Sequence, residues 1–255
     1  MEFIEQQYID LLKQYDSPTV SNAIELFGVQ PPTKGYLPHT VRALFPQLPP
    51  MVGYACTGVH RGMTPPEPGE DSGTLVEQAR NFATVPVPRV VVIQERDPVL
   101  CGAALGDGMA LAYCAFGCVG FVTNGIVRDI QGIEPLSFPV FAQGTVSSHA
   151  YFRLGNFGQP VEIGGQTIHQ GDLIHGDRNG VVVIPNAIAR EVAVACPKVR
   201  QAEAIVHNYL RSGTVTPEGL AERSEQYLQR SAAIADEVQR ELARTRYGTG
   251  DTRKE

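Results

Sequence analysis

At 255 residues the chain is long enough to bury a sizeable core, as one large domain or two small ones. Hydrophobic residues make up 43% and charged residues 19%, and the formal net charge is −6 with no block of basic side chains. That leaves no electrostatic footprint for nucleic acid, and no apolar run approaches the roughly 18 residues of a membrane helix.

Phe3, Ile4, Tyr8, Leu11, Leu12 and Tyr15 recur at helical spacing over residues 3–15. Ser17-Pro18 offers an N-cap and a proline at the first helical position, which predicts a second short helix running to Gly28. Residues 30–50 are rich in Pro and Gly and read as loop, and residues 52–59 read as strand. Residues 61–71, with three prolines and two glycines, read as a long exposed connector. A helix over about 72–82 then leads to a strand at 89–93, a strand at 101–105 and a helix over 110–116. A strand at 119–123, a short helix after Asp129 and a strand at 139–142 follow. Alternation of this kind predicts parallel βα units.

Beyond residue 145 the pattern turns to β. Residues 161–163 and 166–168 flank Gly164-Gly165 as a hairpin, and strands at 172–177 and 181–184 are expected to close a second sheet or a barrel. Residues 186–247 read as helical, with a kink at Pro197, a break at 213–217 and a frayed end over 248–255.

The five cysteines (Cys56, Cys101, Cys114, Cys118 and Cys196) contain no CxxC pair, and the start is acidic without a basic lead into an apolar stretch. Reduced, mostly buried thiols in a soluble cytoplasmic protein are the expectation. Cys114 and Cys118 lie on a small-residue helix and read as packing. The six histidines are scattered without HxxxH; His149, which follows a predicted strand, reads either as lining a pocket or, the favoured reading, as a solvated loop histidine. No P-loop or Gly-x-Ser-x-Gly elbow occurs, and residues 102–108 do not match GxGxxG, so a dinucleotide fold has no support.

The chemistry concentrates at two places twenty residues apart, Asp107 and Arg128-Asp129. Asp107 lies in Leu105-Gly106-Asp107-Gly108-Met109, where a strand gives way to a helix. Free N–H groups there can bind an anion, and the flanking glycines admit a substrate close to the backbone. The same run is also an ordinary turn signal, and Arg128-Asp129 is equally an ion pair or a helix cap. Read as chemistry, Arg128 offers a bidentate fork to a carboxylate. Asp129 is a hard oxygen ligand for Mg²⁺ or Mn²⁺, a cation satisfied by one or two protein carboxylates.

Together these residues resemble the RraA-like family, which holds the class II 4-hydroxy-4-methyl-2-oxoglutarate / 4-carboxy-4-hydroxy-2-oxoadipate aldolases and the regulator of ribonuclease activity A. The hallmark reads here as Gly106-Asp107-x20-Arg128-Asp129. Gly117-x2-Gly120, Pro139-Val140-Phe141, Gly171-Asp172-x4-Asp177-x2-Gly180 and Ser21-Asn22-Ala23-Ile24 support it over residues 17–200. Asn124-Gly125 departs from the family's Asp-Gly, and the helical tail beyond 200 is in keeping with the aldolase branch.

The resemblance implies an α/β/β sandwich with swivelling-domain topology, residues 1–200 forming the catalytic domain and 201–247 a C-terminal helical extension. It implies a homotrimer or homohexamer with no nucleic-acid or membrane partner. Asp129 would bind the divalent cation and Asp107 would reach it through an ordered water. Arg128 would hold the substrate's keto oxygen or carboxylate, and the backbone of Gly106, Asp107, Gly108 and Met109 the carboxylate. The implied reaction is cleavage of a 2-oxo acid through a pyruvate enolate, with oxaloacetate decarboxylation as a side activity. A non-enzymatic regulator that binds a ribonuclease, and a lyase or hydratase acting on another sugar or aromatic-derived acid, are the competing readings.

Overall fold

Ten consecutive residues from Met51 are buried, the burial of a central strand covered on both faces. In this computed structural model residues 3–67 and 72–248 are described, with side chains through 244. Residues 68–71 of the expected connector and 249–255 of the expected frayed end lie outside the described residues.

The elements begin with α1 (Gln6–Leu12), α2 (Ser17–Glu25), β1 (Arg42–Ala43), β2 (Met51–Arg61), α3 (Leu75–Phe82) and β3 (Arg89–Glu95). Next come α4 (Asp107–Ala115), β4 (Cys118–Thr123), β5 (Ile126–Val127), α5 (Ile130–Ile133), β6 (Val140–Ala142), β7 (Gly144–Thr145) and β8 (Arg153–Gly155). The chain closes with β9 (Val161–Ile163), β10 (Gln166–Ile168), β11 (Leu173–Asp177), β12 (Gly180–Ile184), α6 (Ala189–Arg211) and α7 (Pro217–Gly248). It divides into two units, one of residues 1–3 and 33–186, the other of residues 4–32 and 187–255.

In the first unit the main sheet runs β1-β6-β4-β3-β2-β11-β12, with β8 also on β2. β2, β3, β4 and β6 are mutually parallel, as the βα alternation predicts. Pairing register assigns alternate residues to the two faces. On one face Ala55, Val90, Val92, Val122, Phe141 and Ile174 form a core with Val161, Ile163 and Ile168 of the β9–β10 hairpin. On the other, Phe121 stacks on Tyr113 of α4, which meets Phe82 of α3 edge-on. Helices, sheet and hairpin make the α/β/β layering.

Three sequence expectations are corrected. Residues 172–184 do not form a second sheet: β11 pairs antiparallel with β2 and extends the main one, and that sheet curls toward the barrel that was the other alternative, bringing the Phe141 ring of β6 against Gly176 of β11. Among the described residues the β9–β10 hairpin and the β5–β7 pair stand apart. Residues 101–105 form no strand, because their pairing with the 126–128 segment is confined to one isolated bridge. Ala103 bridges Ile126, while its N–H donates to Ser148 O at 2.9 Å. Finally, Asp16 and not Ser17 caps α2: its Oδ1 accepts the Thr19 N–H at 3.0 Å, which places Pro18 one position further in.

The second unit is helical. Ile9, Leu12, Val20, Ala23 and Ile24 of α1 and α2 are buried, as are Val192, Cys196, Val199 and Ala202 of α6. α7 packs on α6 and buries Ile234, Val238 and Leu242 at four-residue spacing. Pro197 lies inside α6, where it withholds one helical N–H, and the helix continues to Arg211. Residue 200 therefore falls within a helix, while the two units part at 186/187. Among the described residues no helix is long and apolar enough to cross a membrane.

Candidate functional site

The parallel strands β2, β3 and β4 end together, and the chain leaving β4 builds one wall of the site, the usual position for a ligand in an α/β sheet. Asn124 opens that turn: its Oδ1 accepts the Glu95 N–H at 2.7 Å and its Nδ2 donates to Glu95 O at 3.0 Å. An aspartate would lack the second donor, so the departure from the family pattern fastens a turn. β5 then lies beside residues 103–105, with Ala104 N–H on Ile126 O at 2.8 Å and Arg128 N–H on Leu105 O at 2.9 Å. That pairing sets Gly106-Asp107 against Arg128-Asp129.

The two segments interlock. A Cβ on Gly106 would stand 2.7 Å from Asp129 Oδ2, and a Cβ on Gly132 would stand 2.6 Å from Asp107 Oδ2. A side chain at Gly106 would have to displace the Asp129 carboxylate, and one at Gly132 would also meet Asp107 Cβ at 2.7 Å. Asp129 adopts φ 58° and ψ 41°, left-handed backbone that Asp tolerates better than most residues. Its Oδ2 pairs with Arg128 Nε at 3.1 Å, and both side chains are about one-third exposed, 35% and 36%. Asp107 is the first residue of α4, and its Oδ1 accepts the Gly108 N–H at 2.7 Å. The N-cap is Gly106, which supplies no side-chain acceptor, so the helix start favours an incoming anion.

A pocket of about 420 Å³ opens over these groups, lined by Ala103, Gly106, Asp107, Gly108, Met109, Arg128, Asp129, His149 and Phe152. All six residues singled out from the sequence reach it. His149 is an exposed loop residue that also lines the pocket, so both readings of it hold, whereas Phe152 was not singled out and no local signal marks it. β7 pairs with β5, Val127 beside Thr145, and this tertiary pairing carries the 146–152 loop to the site. His149 Nδ1 lies 2.8 Å from Ala150 O.

Among the described residues no group of three or more His, Cys, Asp or Glu side chains converges as a metal cage. Two carboxylates are present, each with one oxygen engaged, by Gly108 N–H in Asp107 and by Arg128 in Asp129. That donor set fits Mg²⁺ or Mn²⁺, which keep waters and take few protein ligands. The buried cysteines do not compete as nucleophiles: burial pushes the Cys56 and Cys196 thiols up to about 12 and raises Cys118 as well.

Residues 17–183 match the model of the RraA-like family, described as Aldolase/RraA. The chain belongs to this family. Protein DlpA of Legionella pneumophila is 33% identical over 150 residues, covering 58% of this chain and 24% of that protein. A protein of Halalkalibacterium halodurans named as a candidate 4-hydroxy-4-methyl-2-oxoglutarate aldolase is 38% identical over 98 residues, 38% of this chain and 46% of its own. The chain thus spans between a quarter and a half of the length of these two relatives. Among solved structures, an uncharacterized protein of Pseudomonas syringae superposes with a TM-score of 0.69 at 26% identity, covering 89% of this chain and 99% of that one. RraAS2 of Streptomyces coelicolor, described as an unusual member of the RNase ES inhibitor RraA protein family, has a TM-score of 0.66 at 22% identity over 81% of this chain and 98% of its own. That likeness is one of fold.

Proposed function

We propose that the protein is a divalent-cation-dependent lyase that cleaves a C–C bond of a 2-oxo acid through a pyruvate enolate. A 4-hydroxy-4-methyl-2-oxoglutarate-type aldol acid is the substrate, and oxaloacetate decarboxylation is a side activity. One observation carries this reading: Asp107, Arg128, Asp129 and the open start of α4 line a single pocket. The relatives named as candidate aldolases support it.

The N–H groups at the start of α4 hold the substrate carboxylate, and Arg128, whose Nε lies beside Gly106, neutralises charge that builds on the 2-oxo oxygen. Asp129 would hold the cation, with Asp107 reaching it through an ordered water. When bound, the cation supplies Lewis-acid polarisation of the 2-oxo group. Asp107 accepts the C4 hydroxyl proton as the C3–C4 bond breaks. The bond's electron pair becomes the enolate of pyruvate, C4 becomes a carbonyl, and a proton returned to C3 completes pyruvate. Among the described residues no lysine lines the pocket to form a Schiff base.

The test is pyruvate release from 4-hydroxy-4-methyl-2-oxoglutarate and from oxaloacetate, with Mg²⁺ or Mn²⁺ and with EDTA. Chelation is expected to abolish turnover, and Arg128→Ala to lower kcat by about 10²–10³, the size seen when one charge-stabilising donor is removed. Cation binding without pyruvate from either acid would redirect the reading to another sugar or aromatic-derived acid. Loss of both would leave the ribonuclease-binding regulator.

A further inference from the structure

Where β2 and β3 end, His60 and Glu95 are register partners on the helix-bearing face of the sheet. Their side chains are 0% and 2% exposed, and His60 Nδ1 lies 2.6 Å from Glu95 Oε2. Two ionisable groups have been taken out of water here, although apolar side chains would fill the same volume at lower cost. His60 Nε2 has no hydrogen-bond partner, and buried nitrogens seldom go without one unless the ring is held for another reason. The reaction described above uses neither residue.

What the pair touches is informative. Glu95 Oε1 accepts the Asp97 N–H at 2.9 Å, and the Glu95 backbone is clasped on both its N–H and its carbonyl by Asn124. The next residue, Gly125, lies so close that a Cβ there would be 3.1 Å from Glu95 Cβ. This turn leads directly to Arg128 and Asp129. On its other side the His60 ring packs on Phe152, centroids 5.2 Å apart at 49°. Gly62 fills the space beside the ring, where a Cβ would be 3.3 Å from His60 Cε1 and 3.5 Å from Ala150 Cβ. Glu95 therefore holds the wall that carries Arg128, and His60 backs the wall that carries His149 and Phe152.

We propose that the His60–Glu95 pair is a positioning element of the site, its short hydrogen bond fixing the distance between the Arg128 wall and the Phe152 wall. The proposal rests on the functional reading above. Small misplacements of a charge-stabilising group cost turnover far more than they cost binding. The pair thus acts on kcat through Arg128 and leaves KM nearly alone.

The experiment compares wild type with Glu95→Gln, His60→Gln and the double variant in oxaloacetate decarboxylation and in the Arg128 Nε–H and Phe152 ring resonances of the free protein. Each single variant is expected to lose about 10–100-fold in kcat with KM within about 3-fold. The double variant should be no worse than the poorer single, and both sets of resonances should move. Unchanged resonances and unchanged kcat in folded variants would overturn the proposal. A parallel loss through KM alone would do so too. Should the wild type release no pyruvate, the functional reading fails, and the resonances alone decide whether the pair sets the geometry. If the buried variants fail to fold, Gly62→Ala keeps both members of the pair and presses a methyl to 3.3 Å from His60 Cε1. It is expected to move the Phe152 resonances and lower kcat, and no change in either would overturn the proposal.

Discussion

Asp129 shows how much one residue's backbone governs which substitutions are informative. At φ 58° an alanine pays about 1–2 kcal/mol for the left-handed conformation, whereas asparagine shares aspartate's tolerance for it. Asp129→Asn is thus expected to abolish Mg²⁺ binding in calorimetry with the melting temperature nearly unchanged, while Asp129→Ala loses both. Gly132→Ala drives a methyl against Asp107 Oδ2 and should lower pyruvate release at least 10-fold in a folded protein, by the logic that small displacements of a reacting group are costly. At this scale the hallmark residues were legible because they are contiguous or sit at turns. His149 was legible only as one of two alternatives, and Phe152 was not legible, since an aromatic in a loop carries no local sign of what it faces. The thiols give an independent check: the thiolate is the reactive form, and burial raises Cys56, Cys118 and Cys196. At pH 8 these three should resist a thiol reagent until denaturant is added.

Single helices carry their own predictions. Asp16→Ala removes the acceptor of the Thr19 N–H and should cost about 0.5–2 kcal/mol in urea unfolding, the usual worth of a cap. α3 begins with a reciprocal capping box in which Thr74 Oγ1 accepts the Glu77 N–H and Glu77 accepts from Thr74 N–H and hydroxyl. The Thr74 backbone N–H, and then its hydroxyl, hold the Glu77 carboxyl below its ordinary value. The unfolded chain then binds the proton more readily. The box's contribution is complete above the unfolded carboxylate value and is lost as pH falls through the lower folded one. The stability gap between wild type and Glu77→Gln should accordingly shrink in acid, modestly, because Glu77 is exposed. Thr74-Leu75-Val76-Glu77 is a signature readable in the sequence, and it places the start of α3 at Leu75. The segment 101–105 is the opposite case. Its composition suits a strand, but its pairing with β5 amounts to one isolated bridge, Ala103 to Ile126, too short to make a ladder.

At the scale of the molecule, the first unit depends on a sheet buried on both faces. Phe141 of β6 lies 2% exposed in that core, and its ring closes over Gly176 of β11, where a Cβ would stand 2.8 Å from Phe141 Cζ. Phe141→Ala should cost about 3–5 kcal/mol in denaturant unfolding, the sum of lost burial and the cavity left behind. Removing the ring's contact with β11 is then expected to loosen both ends of the sheet, measurable as faster amide exchange in β6 and β11.

Short-range periodicity, turn chemistry and a fixed spacing were enough to read the alternation of strands and helices, the β9–β10 hairpin, the family, and six of the residues that line one pocket. The tertiary structure alone decided that β11 and β12 join the parallel strands, that residues 4–32 group with the C-terminal helices, and that His149, Phe152 and the His60–Glu95 pair stand around the site. Each of these contacts joins residues far apart in the chain. Their energy comes from burial and pairing that exist only once the sheet has assembled, so no local pattern encodes them.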